Sequence, residues 1–143
     1  MKQHNDKGTR EDLAFYRLET SADDIKSARI LYDANEYRSA NNRAYYAIYH
    51  AINAIHALDG NSYKKHKDAI GNFNKCYIKT EIFPREIGRK ISEAEEIRHA
   101  SDYDDFNLAT AEEAHEQIEV AEELLGLIKD YCNEKLGNEK SSS

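Results

Sequence analysis

The chain has 143 residues, 33% of them charged, with one proline, six glycines and a formal net charge of −7. That length suffices for one domain with a buried core, and so few helix breakers favour helices over strands. No apolar run approaches the roughly 18 residues of a membrane span, segment 1–10 lacks a signal peptide's apolar core, and Cys76 and Cys132 are too few for a secreted disulfide scaffold, so a cytoplasmic protein is expected.

In chain order, residues 1–10 read as a flexible lead, with Thr9 and Asp12 resembling a helix start. Phe15, Leu18, Ala22, Ile25, Ala28 and Tyr32 recur at spacings of three and four, which predicts an amphipathic helix of about 24 residues. Asn35 closes it, because Asn tolerates the left-handed conformation. A second helix runs from near Tyr37 to Asp59-Gly60. Its small residues Ala40, Ala44, Ala47, Ala51 and Ala54 let another helix approach closely, with tyrosines filling the sides. Gly60-Asn61-Ser62 is a turn signal.

A third helix is expected from His66 to about Lys79, with Ile70, Phe73 and Tyr77 inward; Gly71 weakens it by about 1 kcal/mol relative to Ala. Pro84 fits the first turn of a fourth helix, where its missing N–H costs nothing. Ile87, Ile91, Ala94 and Ile97 give that helix its stripe, and it ends around Arg98 to Ala100. Residues 101–107 read as a polar link anchored by Tyr103 and Phe106. Thr110 to Glu113 then reads as a capping box. Beyond it Ala111, Ala114, Ile118, Ala121, Leu125, Ile128 and Cys132 keep a three-four alternation opposite a glutamate face. The expected fold is all-α: an up-and-down antiparallel bundle of four long helices plus one shorter helix, occupying residues 11–136, with a disordered tail at 137–143.

Charge is unevenly spread. Residues 61–90 hold eight Lys/Arg against three Asp/Glu, and residues 91–143 hold four against fifteen. The basic segment suits phosphate, or else decorates a solvated face.

Three constellations stand out. On the second helix Arg43 and His50 are seven apart, hence only about 20° apart around the axis, with Tyr46 between them. Arg holds phosphate oxygens in a fork, and His moves protons near neutral pH. The structural alternative is Arg43 paired to a carboxylate and His50 bonded inside the bundle. At the end of the fourth helix, Arg98, His99, Asp102 and Tyr103 form a dense set of donors and acceptors. The alternative there is a helix-end salt bridge with Tyr103 wedged into the core. Lys64, Lys65, His66 and Lys67 form a candidate phosphate-binding patch. No metal-ligand run, phosphate loop or dinucleotide turn is present, so neither metal nor cofactor is expected.

The stretch from Asn42 through Tyr45, Tyr46 and His50 to Ala51 resembles the signature helix of HEPN-domain proteins, in particular a small stand-alone bacterial and archaeal group. Lys65-His66-Lys67 before a helix, Tyr77-Ile78-Lys79-Thr80 at its end, and Arg98 leading into Ser101-Asp102-Tyr103 agree in order and spacing, and the resemblance covers roughly residues 12–132. It implies a bundle of four to five helices, often dimeric. Many members are encoded beside a minimal nucleotidyltransferase as toxin–antitoxin pairs. The active ribonucleases of the family carry an Arg, four to six residues, then His before the last long helix, and cut RNA without metal.

At that place this chain has Arg98 with Asp102 and Tyr103, while its literal Arg-x6-His match is Arg43 to His50. The resemblance therefore makes Arg43, His50 and Arg98 the catalytic candidates, and Asn42, Tyr46, His99, Asp102 and Tyr103 the motif or binding residues. The expected function is an RNA- or nucleotide-related module of a toxin–antitoxin or nucleotidyltransferase pair, a homodimer and a metal-independent endoribonuclease if active. The alternatives are a non-catalytic nucleotide- or protein-binding module and a dimeric scaffold.

Overall fold

Alanine has the highest helix propensity and the smallest chiral side chain, so a helix with alanine every three or four residues forms readily and admits close neighbours. That helix is the centre of this fold. The computed structural model describes the backbone of residues 6–103, 106 and 108–142, and the side chains of residues 9–103, 106 and 108–137. Its elements are α1 (Asp6–Asp33), α2 (Tyr37–Leu58), α3 (His66–Phe73), a π-helical turn (Asn74–Ile78), α4 (Arg85–Tyr103) and α5 (Ala111–Ser142). α2 packs against all four other helices. Ala40, Ala44, Ala47, Ala51 and Ala54 are fully enclosed, and Ile48, Ile52 and Ile55 fill the core beside them. This is the up-and-down all-α bundle, four long helices and a shorter one, that the periodicity predicts.

The punctuation also follows the sequence. Asn35 adopts a φ of 65° and closes α1, with the Glu36 N–H donating to the Leu31 carbonyl at 2.8 Å. Gly60 turns the chain after α2 with a φ of 87°, a value that strains any residue bearing a Cβ. The Thr110 hydroxyl oxygen caps α5 by accepting from the Glu113 N–H at 3.1 Å.

Four expectations need correction. First, the inward stripe of α1 is Ala14, Leu18, Ser21, Asp24, Ile25 and Ala28, whereas Phe15 and Ala22 face outward. Two inward positions are polar, so a count of apolar residues slides off the true face; Ser21 donates its hydroxyl to the Ala47 carbonyl at 2.7 Å.

Second, the third helix changes winding. Lys79 N–H reaches back five residues to the Asn74 carbonyl at 2.8 Å, and this wider turn buries both Tyr77 and Ile78. α4 seats closely on it: a Cβ at Gly88 would lie 3.1 Å from Ile78 Cγ2.

Third, α4 runs through Tyr103, so Ser101 and Asp102 are helical rather than link. Arg98 and Asp102, one turn apart, pair at 3.1 Å and hold the last turn. Tyr103 and Phe106 are 70% and 92% exposed, so neither is a core anchor. Residues 104, 105 and 107 of the expected link lie outside the described residues.

Fourth, the helical segments reach further than expected. α1 begins at Asp6, and α5 continues past Leu136 to Ser142, because Glu139 and Lys140 are good helix formers and no proline intervenes. Residues 1–5 and 143, at the ends expected to be loose, lie outside the described residues.

Candidate functional site

Asp24 is the residue that joins the α2 constellation to the rest of the bundle. α1 delivers it to a nearly closed position facing α2, where a lone carboxylate would be costly. Arg43 Nη1 donates to Asp24 Oδ1 at 3.0 Å. His50 Nε2 stands 3.7 Å from Asp24 Oδ2, too long for a hydrogen bond but close enough for attraction when the ring is charged. The seven-residue spacing thus does bring Arg43 and His50 to one place, on one carboxylate. Arg17 Nη1 on α1 donates to the Asn53 carbonyl at 3.2 Å a turn further along.

α4 also reaches Tyr46. Arg98 Nη2 donates to the Tyr46 hydroxyl at 3.3 Å. Its guanidinium carbon lies 5.3 Å from the Tyr45 ring centroid and 5.7 Å from that of Tyr46, within cation–π range. Arg43 lies 6.0 Å from the Tyr46 ring. Asp102 pairs with Arg98 and accepts from Asn42 Nδ2 at 3.3 Å. Two guanidinium groups from two helices therefore approach one tyrosine, each already held by an acid.

α3 contributes His66 at its first position. The Tyr45 hydroxyl meets His66 Nδ1 at 3.2 Å, and the imidazole stacks on Tyr49, centroids 3.8 Å apart. Tyr46 neighbours both His66 and His50, and Tyr49 neighbours His50 at 5.7 Å. His66 therefore belongs with the α2 aromatics, while Lys64, Lys65 and Lys67 are exposed around it. The expected four-residue patch splits into one embedded ring and three solvated cations.

Burial pushes the His50 imidazole below its usual range. Asp24 opposes that shift, and Arg17 and Arg43 add to it. His66 is also lowered, first by burial, then by Arg98 and His50. Burial thus favours the neutral form of both rings, and the Asp24 carboxylate favours the charged form of His50. Burial raises the Tyr45 hydroxyl to about 12, so it stays a phenol and a hydrogen-bonding group.

His99 and Tyr103 do not join the cluster. His99 is exposed and packs at a tilt against Tyr103, centroids 4.7 Å apart. Asp24 and Tyr49 join it without having been singled out in the sequence, and Tyr45, named there only within the signature stretch, joins it as well. The signal for Asp24 was its position three residues after Ser21, on the face α1 turns to α2. Among the described residues no group of three or more His, Cys, Asp or Glu is placed to hold a metal ion, and no helix is long and apolar enough to cross a membrane.

Known proteins share this arrangement of helices. The family model described as "HEPN domain" matches residues 14–131. The protein named "Putative toxin MJ0605" from Methanocaldococcus jannaschii is 31% identical over 136 residues, covering 95% of this chain and all of that protein. The "UPF0332 protein" of Thermotoga maritima is 27% identical over 120 residues, 84% of this chain and 91% of that one. The crystal structure of TT1696 from Thermus thermophilus superposes with a TM-score of 0.71 at 17% identity, over 82% of this chain and 96% of that one; at that identity it speaks to the fold. With a full-length relative above 30% identity and a family model spanning most of the bundle, the chain belongs to the HEPN domain family.

Proposed function

We propose that the protein is the RNA-acting half of a toxin–antitoxin pair, a cytoplasmic homodimer that cuts RNA at the cluster between α1, α2, α3 and α4. The single observation that carries this reading is the convergence on Tyr46 of two arginines and two imidazoles from three helices. Arginine forks match phosphate oxygens, exposed aromatic faces stack on unpaired bases, and neutral imidazoles accept protons. The name "Putative toxin" borne by the Methanocaldococcus jannaschii relative points the same way. The partner in this reading is a minimal nucleotidyltransferase.

The test is cleavage of labelled structured and unstructured RNA by purified protein in EDTA, beside an Arg43→Ala, His50→Ala, Arg98→Ala triple variant. The expected result is cleavage by the wild type and a loss of at least about 100-fold in the variant, since one proton-transfer group alone supplies about 10²–10⁴. A thermal melt confirms that the variant folds. Equal cleavage by both proteins overturns the reading.

One observation favours a second reading, binding without cleavage: each guanidinium is already paired, Arg43 with Asp24 and Arg98 with Asp102. In that case the exposed Lys64, Lys65 and Lys67 provide the grip on single-stranded RNA. Their replacement by Ala weakens affinity and flattens the plot of log K against log salt by about 0.7 per lost phosphate contact. An unchanged slope removes this reading.

A further inference from the structure

We propose that His66 is a second proton-transfer residue, working opposite His50 on the RNA backbone as the base to His50's acid. This rests on the ribonuclease reading and assigns that site its chemistry. Three observations carry it.

The two imidazoles come from different helices yet share the same two neighbours, Tyr46 and Tyr49. They therefore gather at one aromatic platform, near enough for His50 to act on the charge of His66. His66 is also held in place: Tyr45 engages Nδ1, and Tyr49 covers the ring face. With Nδ1–H donating to the Tyr45 hydroxyl oxygen, Nε2 carries the lone pair through which the ring takes a proton. Finally, the two rings have opposite electrostatic settings. His50 faces the carboxylate of Asp24, with Arg17 and Arg43 further off, so its charged form has a counter-ion. His66 faces the Arg98 guanidinium, His50, and the phenols of Tyr45, Tyr46 and Tyr49; Lys64 and Lys65 precede it in the chain, and α3 itself adds Lys67 and Asp68. The acids nearest on α4 are Glu95, which acts on the Tyr45 hydroxyl, and Asp102, which pairs with Arg98; the shift of His66 toward its neutral form comes from burial, Arg98 and His50.

The step balances without an external reagent. Neutral His66 takes the ribose 2′-hydroxyl proton as O2′ forms a bond to phosphorus. The bond from phosphorus to O5′ breaks, and protonated His50 gives its proton to O5′. The products are a 2′,3′-cyclic phosphate and a 5′-hydroxyl, and the two rings return to their starting states by exchange with water. Arg98, near enough to act on the charge of His66, supplies the fork for the phosphate oxygens. Tyr45 acts as a positioning residue for His66.

The experiment follows the rate of cleavage of a short single-stranded RNA in EDTA from pH 5 to 9, for the wild type, His66→Gln, His50→Gln and Tyr45→Phe, with end-group analysis of the products. The expected wild-type profile is bell-shaped with a cyclic phosphate product. His66→Gln falls by about 100-fold and loses the acid limb, His50→Gln loses the alkaline limb, and Tyr45→Phe shifts the acid limb. A parallel NMR titration with 3′-UMP reads the rings without cleavage: both should move as the phosphate binds.

A wild type that cleaves, with His66→Gln within twofold of it and an unaltered pH profile, overturns this assignment and leaves the ribonuclease reading standing. So does a titration in which His50 moves and His66 is silent. A wild type that cleaves nothing under any condition overturns the ribonuclease reading, and this assignment falls with it.

Discussion

Asp24 shows how one buried acid organises several cations. It accepts from Arg43 at 3.0 Å and faces His50 at 3.7 Å. Its field raises the His50 pKa against the lowering effect of burial. Replacing it by Asn keeps the shape and removes the charge. Because the raising contribution disappears, the His50 pKa falls further, and the proton that His50 donates becomes scarcer at pH 7. The expected outcome is a downward shift of the His50 ring titration by NMR and a loss of cleavage of about tenfold or more, with His66 titrating much as before. A His50 pKa that rises or stays put contradicts the pairing. Arg43 and His50 were legible in the sequence because helical spacing alone puts them together. Asp24 was not, because an acid on an inward face breaks the apolar pattern from which inward faces are read; its partner lies 19 residues away, and only packing brings them together.

Elements were legible where the signal is local. The left-handed Asn35, the Thr110 cap and the alanine ladder of α2 each follow from the chemistry of one residue or one spacing. The π turn at 74–78 and the added turn of α4 were not, since both depend on what packs against them: Gly88 on Ile78, and Asp102 between Arg98 and Asn42. His66 was read as part of a phosphate-binding patch, and its place on the α2 aromatics was not legible for the same reason. In the sequence it sits among lysines, and only the approach of α3 to α2 seats it on Tyr49. The alanine ladder carries its own prediction. Ala47 is fully enclosed, and its carbonyl accepts from Ser21 across the α1–α2 contact. Ala47→Leu forces three extra carbons into that contact, so α1 must move away. Overpacking of this kind costs about 1–3 kcal/mol, a fall in Tm of roughly 3–10 °C for a domain of this size. The displaced α1 would also carry Asp24 away from His50, so cleavage should fall with stability. A Tm equal to wild type by differential scanning calorimetry would mean that the two helices are not in close contact.

At the scale of the molecule, buried titratable groups set a window of stability. His56 is 1% exposed and donates Nε2–H to the Ala69 carbonyl at 2.8 Å, tying α2 to α3. Burial lowers its pKa below the usual 6.5. His50 and His66 are lowered too. For a base whose folded pKa is depressed, the unfolded chain binds more protons below about pH 6.5, so stability is complete above that pH and declines on acidification. The opposite limit comes from acids kept neutral. Tyr77 and Tyr131 both donate to Asp59, where Lys135 also pairs, and burial raises both phenols, as it raises the Cys132 thiol to about 12. The unfolded chain loses those protons first, near pH 9 to 10, so stability declines above that range. Thermal melts from pH 5 to 11 should therefore give a plateau between about pH 7 and 9, with Tm falling on both sides. His56→Gln retains a side-chain donor for the Ala69 carbonyl but cannot titrate, so it should melt lower throughout and lose part of the acid slope, leaving the alkaline slope untouched. An acid slope as steep as wild type in that variant would assign the acid limit to His50 and His66 alone, and the fold's low-pH weakness would then reside in the candidate site rather than in the core.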